Sequence, residues 1–309
     1  MNTGPPAPPH RRLLADARAF LEMIRFSHTL FALPFTLAGA VLAWRAAGRT
    51  GWREVGLDLV GLLACMVFAR STAMAVNRLA DRRFDAANPR TAQRHLPAGR
   101  LSFAAVGSFA VLCAAGFVVA TLHFWYWNAS PLPFYLSVPV LLFICGYSLT
   151  KRFTALCHVW LGASLMLAPV AAWIAITGDL AWTPVVLGLA VLCWVTGFDI
   201  LYACQDVEFD RRAGLHSLPA RLGVRVALRL AAGAHAAMVV LLVLLWWVAG
   251  LGPVYLAGVG AVAVLLAYEH WLVRPDDLSR VNLAFFYVNS VVSVGLLALV
   301  LADGWVRQS

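Results

Sequence analysis

"VGLDLVGLLACMVFARSTAMAV" (55–76) runs without a break into "NRLADRRFDAANPRTAQRHLPAG" (77–99). The first stretch stays apolar for the length a helix needs to cross a hydrocarbon core, about 20 residues for roughly 30 Å. The second sets Asn77, Asp81 and Asp85, four apart, among Arg78, Arg82, Arg83, Arg90 and Arg94. An apolar span followed at once by dense charge predicts a helix that leaves the bilayer there and carries polar groups at its mouth.

Working outward, the same length test finds nine apolar runs, at about 24–44, 55–76, 103–122, 132–149, 156–177, 182–203, 226–249, 252–272 and 281–302. Trp44, Trp52, Trp125, Trp127, Trp246, Trp247 and Trp305 fall near their ends, as interfacial anchors do. With 61% hydrophobic and 13% charged residues and a mean hydropathy of +0.78, neither a soluble domain nor a disordered chain fits. The expected fold is an all-α polytopic membrane protein of nine transmembrane helices. Residues 24–302 are expected to form one transmembrane domain, two four-helix pseudo-repeats plus a last helix. A disordered or amphipathic segment, 1–23, precedes it, and a tail, 303–309, follows. The Pro-rich start "MNTGPPAPPHRR" reads as such a tail rather than as a signal peptide.

The basic residues are 23 arginines and one lysine, Lys151, and the formal net charge is +9. In a chain this apolar, that charge suits topology, lipid headgroups or a polyanionic substrate, not nucleic acid. Loops after the second, fourth, sixth and eighth runs carry Lys or Arg; those after the third, fifth and seventh carry none. The positive-inside rule therefore puts the even loops and the N-terminus in the cytoplasm of a multi-pass inner (plasma) membrane protein. Arg45, Arg49 and Arg53 in the first outer loop break the pattern. Cys65, Cys113, Cys145, Cys157, Cys193 and Cys204 lie scattered in apolar segments, as small buried hydrophobes rather than disulfide or zinc pairs.

A second acidic stretch, "CQDVEFDRRAGLHSLPARLGVR", follows the sixth run and repeats the pattern of the first: two aspartates four apart, basic residues, then Leu-Pro-Ala. Two such loops in the same orientation suggest one site built between two halves. On a helix, Asn77, Asp81 and Asp85 share a face, and so would Asp199, Tyr202, Asp206 and Asp210. Stacked carboxylates repel one another unless arginines pair with them or a divalent cation bridges them; hard oxygen ligands completed by phosphate suit Mg²⁺. Arg90, Arg94, Lys151 and Arg152 can give charge-assisted bonds to phosphate oxygens, although Lys151 and Arg152 also read as ordinary positive-inside residues. The substrate class this suggests is a lipid diphosphate with its apolar tail in the membrane.

These residues carry a resemblance. "NRLADRRFD" (77–85) and "DILYACQDVEFD" (199–210) resemble the two aspartate-rich motifs of the UbiA superfamily of intramembrane prenyltransferases. "YSLTKR" (147–152) and "NPRTAQRHLPAG" (88–99) resemble the segments that accompany them, and the likeness runs from about Arg25 to the last span. Arg78 departs from the pattern, standing where many members have aspartate.

The resemblance implies a bundle around a central cavity, with Asn77, Asp81, Asp85, Asp206 and Asp210 holding Mg²⁺ against a polyprenyl diphosphate. Arg90, Arg94, Lys151 and Arg152 would neutralise the leaving pyrophosphate, with Tyr147 and Tyr202 as further hydrogen-bonding partners. At the acceptor end Asp199 would orient or deprotonate a hydroxyl. Arg70, or Arg25 second, would meet the carboxylate of a small aromatic acid, unless Arg70 pairs with the aspartates and Arg25 snorkels to headgroups. His28 and His216 are weaker candidates for the same phosphate or substrate hydrogen bonds as Tyr147 and Tyr202, each more often a structural histidine.

"FSHTLFALPF", "YACQDVEFD" and "GLHSLPARLG" look most like the 4-hydroxybenzoate polyprenyltransferase-like subgroup, including its futalosine-route members. The resemblance implies 1,4-dihydroxy-6-naphthoate as acceptor, with 4-hydroxybenzoate the alternative. A transporter would need ionisable residues near the midplane reachable from both faces, and an alcohol phosphotransferase one compact Asp/Gly-rich run. Neither describes two motifs on one side.

Overall fold

The computed structural model describes residues 18–24 and 29–306, with the side chains of 29–31 left aside. Among these residues the long helices are α1 (Thr29–Ala46), α2 (Trp52–Ala87), α3 (Phe103–Asn128), α4 (Leu132–Thr150) and α5 (Cys157–Thr177). They continue with α6 (Trp182–Ala203), α7 (Val224–Val248), α8 (Pro253–Leu272) and α9 (Asn289–Val306). Eight segments are long and apolar enough to cross a membrane. At the first expected span the described apolar stretch, Ala32–Ala46, is shorter than the others. Nine spans were expected; among the described residues eight meet the length and composition of a span, and part of the first expected one, 25–28, lies outside them.

Packing follows the chain with one closure. α6 lies between α5 and α7, α8 joins α7 to α9, and α1 packs on both α5 and α9; α2, α3 and α4 form a second group resting on α5. α6 is the central element, 67% buried over its most apolar window against 17–39% for the other spans. Close approach depends on small residues, as is usual between helices in lipid. A Cβ on Gly162 of α5 would stand 2.5 Å from the Leu192 carbonyl of α6. Around this contact Trp194 meets Phe35 and Phe198, both at 4.9 Å between centroids, and Phe198 meets Phe285 at 5.4 Å.

The boundaries explain the charge pattern. α2 has 36 residues, about 54 Å at 1.5 Å per residue, so it outruns the core and carries Asn77, Asp81 and Asp85 past the expected end at residue 76. It stops at Asn88, whose extended backbone (φ −93°, ψ 118°) is what the following Pro89 demands. α6 gives way to a 3₁₀ turn (Cys204–Asp206) and a short helix (Val207–Arg212), so the expected single helical stripe from Asp199 to Asp210 is interrupted. A π turn (Ala284–Val288) breaks the last run, and α9 continues to Val306, past the expected end at 302, because the buried Asp303 accepts the Gly252 and Tyr255 amides at the start of α8.

At the N-terminal side, 18–23 is helical, Phe20 stacks on Phe109 at 4.7 Å, and Met23 and Ile24 are buried with residues of α2 and α3. Residues 18–23 belong to the segment expected to be disordered or amphipathic; residues 1–17, Arg25 and His28 lie outside the described residues.

The outer-loop arginines that broke the charge rule are structural, at the bundle end away from the motifs. Arg49 Nη1 donates to Asp58 Oδ2 (3.0 Å) and Asn128 Oδ1 (2.9 Å), and its Nη2 to the Ile176 carbonyl (3.0 Å). Asp58 is fully buried and also accepts from Trp44 Nε1 (2.8 Å) and Asn128 Nδ2 (2.7 Å). Arg45 donates to the Val300 carbonyl (2.7 Å), and Arg53 lies over the Trp127 ring.

Candidate active site

Between the α2–α4 group and α5–α6 lies a cavity of about 600 Å³, within the range of roughly 300–1,000 Å³ usual for ligand pockets. Its far part is apolar, lined by residues such as Leu62, Phe117, Phe124, Leu136 and Leu165. Its motif end is polar. Asn77, Asp81, Asp85, Arg90, Arg94, Tyr147, Lys151, Arg152, Asp199, Tyr202, Asp206 and Asp210 all line it, and Arg70 lines it deeper along α2. The helix ends described above make this convergence: α2 and α6 both deliver their last polar turns to the same mouth.

Asp81, Asp85, Asp206 and Asp210 each lean on a cation. Arg152 lies 3.5 Å from Asp81, which also accepts from Asn77 Nδ2 (2.9 Å). Asp85 takes Arg94 at 2.6 Å, with Arg78 at 3.8 Å on its other oxygen. Asp206 is held bidentately by Arg90 (Nε 3.0 Å, Nη2 2.5 Å), whose Nη1 also donates to Tyr202 Oη (2.9 Å). Burial pulls the Arg90 guanidinium down, but Asp206 and Tyr202 outweigh it and raise its pKa above the ordinary arginine value. Asp210 pairs with Lys151 (2.8 Å) and accepts from Ser217 Oγ (2.6 Å).

Five oxygen-bearing side chains at one mouth fit a hard divalent cation by donor chemistry. Among the described residues, however, no three His, Cys, Asp or Glu side chains gather closely enough to hold an ion. The arginines and the lysine stand as counter-charges in this state. Arg78, in place of an aspartate, contributes here by facing Asp85 and by donating to Asn77 Oδ1 at 3.2 Å.

Some contributors went unnoticed in the sequence. Asn88 donates to Asp206 Oδ1 (3.3 Å), Ser217 holds Asp210, and His158 contacts Asp199 at 2.6 Å between Nδ1 and Oδ2. Ser217 was legible as a helix cap, since its side chain accepts from Ala220 N–H ahead of Pro219. His158 and Asn88 carried no local signal. His216, considered for a phosphate contact, is not among the cavity-lining residues; its backbone N–H donates to the Lys151 carbonyl (2.7 Å).

Comparison with known proteins agrees with this architecture. Two relatives, both named 4-hydroxybenzoate octaprenyltransferase, come from Marinobacter nauticus and Tolumonas auensis. The first is 32% identical over 91% of this chain and 91% of its own. The second is 32% identical over 74% of this chain and 79% of its own. Neither name supports the naphthoate acceptor. Among solved structures, the apo UbiA homologue of Aeropyrum pernix K1 superposes with a TM-score of 0.73 at 27% identity, covering 91% of this chain and 98% of that one. A UbiA homologue from Archaeoglobus fulgidus, bound to GPP and Mg²⁺, shares the fold at a TM-score of 0.66 and 18% identity, covering 92% and 99%. The family model described as the UbiA prenyltransferase family matches residues 32–291. The chain is thus a polytopic membrane enzyme, a prenyltransferase, and it belongs to the UbiA prenyltransferase family.

Proposed function

We propose that this enzyme transfers a polyprenyl group from polyprenyl diphosphate to a hydroxylated aromatic carboxylic acid, releasing pyrophosphate. The observation that carries the reading is a cavity that joins both acidic motifs, the cations Arg90, Arg94, Lys151 and Arg152, and Asp199 to an apolar interior. Its relatives' names favour 4-hydroxybenzoate as the acceptor.

Asn77, Asp81, Asp85, Asp206 and Asp210 would hold Mg²⁺, and the chemistry a divalent cation supplies there is neutralisation of diphosphate oxygens. Arg90, Arg94, Lys151 and Arg152 exchange their carboxylate contacts for those oxygens. The allylic C–O bond then breaks with its electron pair on the pyrophosphate, where preorganised cations lower the barrier. Aromatic side chains such as Phe198 and Tyr202 shield the allylic cation from water. Asp199 takes the acceptor's hydroxyl proton, and the ring carbon gives its π pair to the new C–C bond. The resulting dienone returns that carbon's proton to its oxygen, restoring the aromatic ring. Arg70, inside the membrane span and lining the cavity, meets the acceptor's carboxylate. The alternation of basic and bare loops supports a mouth on the cytoplasmic side of the inner membrane.

The test is a membrane assay with Mg²⁺ and radiolabelled polyprenyl diphosphate. 4-Hydroxybenzoate and 1,4-dihydroxy-6-naphthoate are offered separately, each with an EDTA control. A labelled prenyl-aromatic product with 4-hydroxybenzoate, lost with EDTA, is the expected result. Product only with the naphthoate would move the acceptor assignment, and product with neither acid from folded protein would overturn the reading.

A further inference from the structure

Asp199 sits on α6 with an 18% exposed side chain lining the cavity, and it touches a residue that the proposed chemistry does not use. His158, at the start of α5, is 2% exposed. Its Nδ1 lies 2.6 Å from Asp199 Oδ2, and its Nε2 faces the Leu218 backbone N–H at 3.3 Å. An amide can only donate, so Nε2 is the acceptor. The imidazole therefore carries its proton on Nδ1 and gives it to the carboxylate. A second proton on Nε2 would set two N–H donors against each other, so the contact to Leu218 N–H fits the singly protonated ring. It is built to orient. Among the described residues Asp199 Oδ1 accepts no hydrogen bond, so fixing Oδ2 leaves one defined oxygen for substrate.

The same ring is tied to the diphosphate end. Residues 216–218 hand out consecutive contacts: His216 N–H to the Lys151 carbonyl (2.7 Å), Ser217 Oγ to Asp210 Oδ2 (2.6 Å), and Leu218 N–H to His158. Cys157 Sγ adds a contact to the His216 carbonyl (3.6 Å). Lys151 itself pairs with Asp210, so this short loop touches both cationic and anionic sides of the diphosphate clamp and also the imidazole behind Asp199.

We infer that His158 is a positioning residue for the aromatic acceptor: it locks Asp199 in the orientation that receives the acceptor's hydroxyl, and the 216–218 loop sets that orientation in register with the diphosphate clamp. The inference rests on the proposed transfer to a hydroxylated aromatic acid. It goes beyond that reading by separating acceptor alignment from donor ionisation and assigning the former to a residue outside the acidic motifs.

The experiment measures kcat and both KM values for wild type, His158→Leu, His158→Gln, Asp199→Asn and the double variant His158→Leu/Asp199→Asn. Thermal midpoints are recorded throughout. His158→Leu is expected to lower kcat/KM for the acceptor by about 10- to 100-fold, the cost of a misplaced reacting group, with the donor KM unchanged. Gln can donate to Asp199 and accept from Leu218 N–H, so His158→Gln is expected to recover most of the loss. The double variant should be no worse than Asp199→Asn alone, as for residues acting as one unit.

Equal losses for donor and acceptor, additive effects, or a Gln variant no better than Leu in folded protein would overturn the assignment. If His158→Leu does not fold, His158→Asn against His158→Gln carries the same test, because Asn is too short to span both partners. Equal acceptor kinetics for those two would again overturn it. Failure of wild type to prenylate any hydroxyaromatic acid would instead remove the underlying reading, and the two failures are distinguishable.

Discussion

The two ends of the bundle both bury carboxylates beside arginines, yet they are built for different purposes. At the end away from the motifs, Asp58 is fully buried and takes three different side chains, Trp44, Arg49 and Asn128, while Arg49 and Asn128 also donate to α5 carbonyls. Both Asp58 oxygens have fixed protein partners, and four helices contribute to the cluster. At the motif end the carboxylates line a cavity and lean on long side chains: Arg90 and Arg94 from the loop after α2, Lys151 and Arg152 from the end of α4. Exposure of the side chains reaches 30% at Asp81 and 37% at Arg152. A closed ionic knot stabilises a fold; an open one on flexible side chains can exchange its partners for a ligand. Strength of pairing is not the difference, since both contain contacts near 2.7 Å. Completeness and enclosure are.

The comparison can be broken most directly at the mouth. Asp81→Asn and Asp206→Asn are each expected to cut prenyl transfer by about 100- to 1,000-fold, the scale seen when one preorganised charge-stabilising group is lost. Thermal midpoints should stay near wild type. A variant that unfolds instead would mean that the mouth is structural like the far end. Chelation makes the same point without mutation: EDTA should abolish turnover while leaving the melting curve in place, because arginines and Lys151 already neutralise these carboxylates without metal.

The far end should behave in the opposite way. Arg49→Ala leaves Asp58 buried without its charge partner, which costs about 3 kcal/mol for a buried pair broken on one side. A marked fall in thermal midpoint with the donor KM within twofold of wild type is the expected pattern; unchanged stability would show that Asp58 needs only its neutral donors. The smallest effect is expected from Arg90→Lys, which keeps the charge but loses the bidentate grip on Asp206 and the bond to Tyr202. Donor KM should rise by about 5- to 10-fold, and binding of a non-hydrolysable diphosphate analogue measures it.

Much of this was legible in the sequence for a physical reason. Lipid imposes long apolar runs, and charge cannot hide in them, so spans and mouth announce themselves in Asn77, Asp81, Asp85, Asp206 and Asp210. What stayed hidden depends on residues far apart in the chain. Arg45 and Arg49 looked like violations of topology until Val300, Asp58 and Asn128 were brought to them. His158 sits in an apolar run with no sign of Asp199, which is one helix later. The interruption of the helix after Ala203 was equally silent, since "CQDVEFD" is compatible with continuous helix, yet Cys204–Asp206 form a 3₁₀ turn.

The arginine-rich composition has one practical consequence. Lys151 is the only lysine in the chain, and it sits in the proposed diphosphate clamp with its side chain 33% exposed. Apart from the chain's amino terminus, an amine-directed acylating reagent has a single target in the whole molecule. The rate of labelling there, read by intact mass, reports how the amine is held: by the Asp210 carboxylate 2.8 Å away, or by diphosphate oxygens in the proposed complex. A membrane enzyme thus offers a site-specific report on one side chain of that clamp that requires no turnover at all.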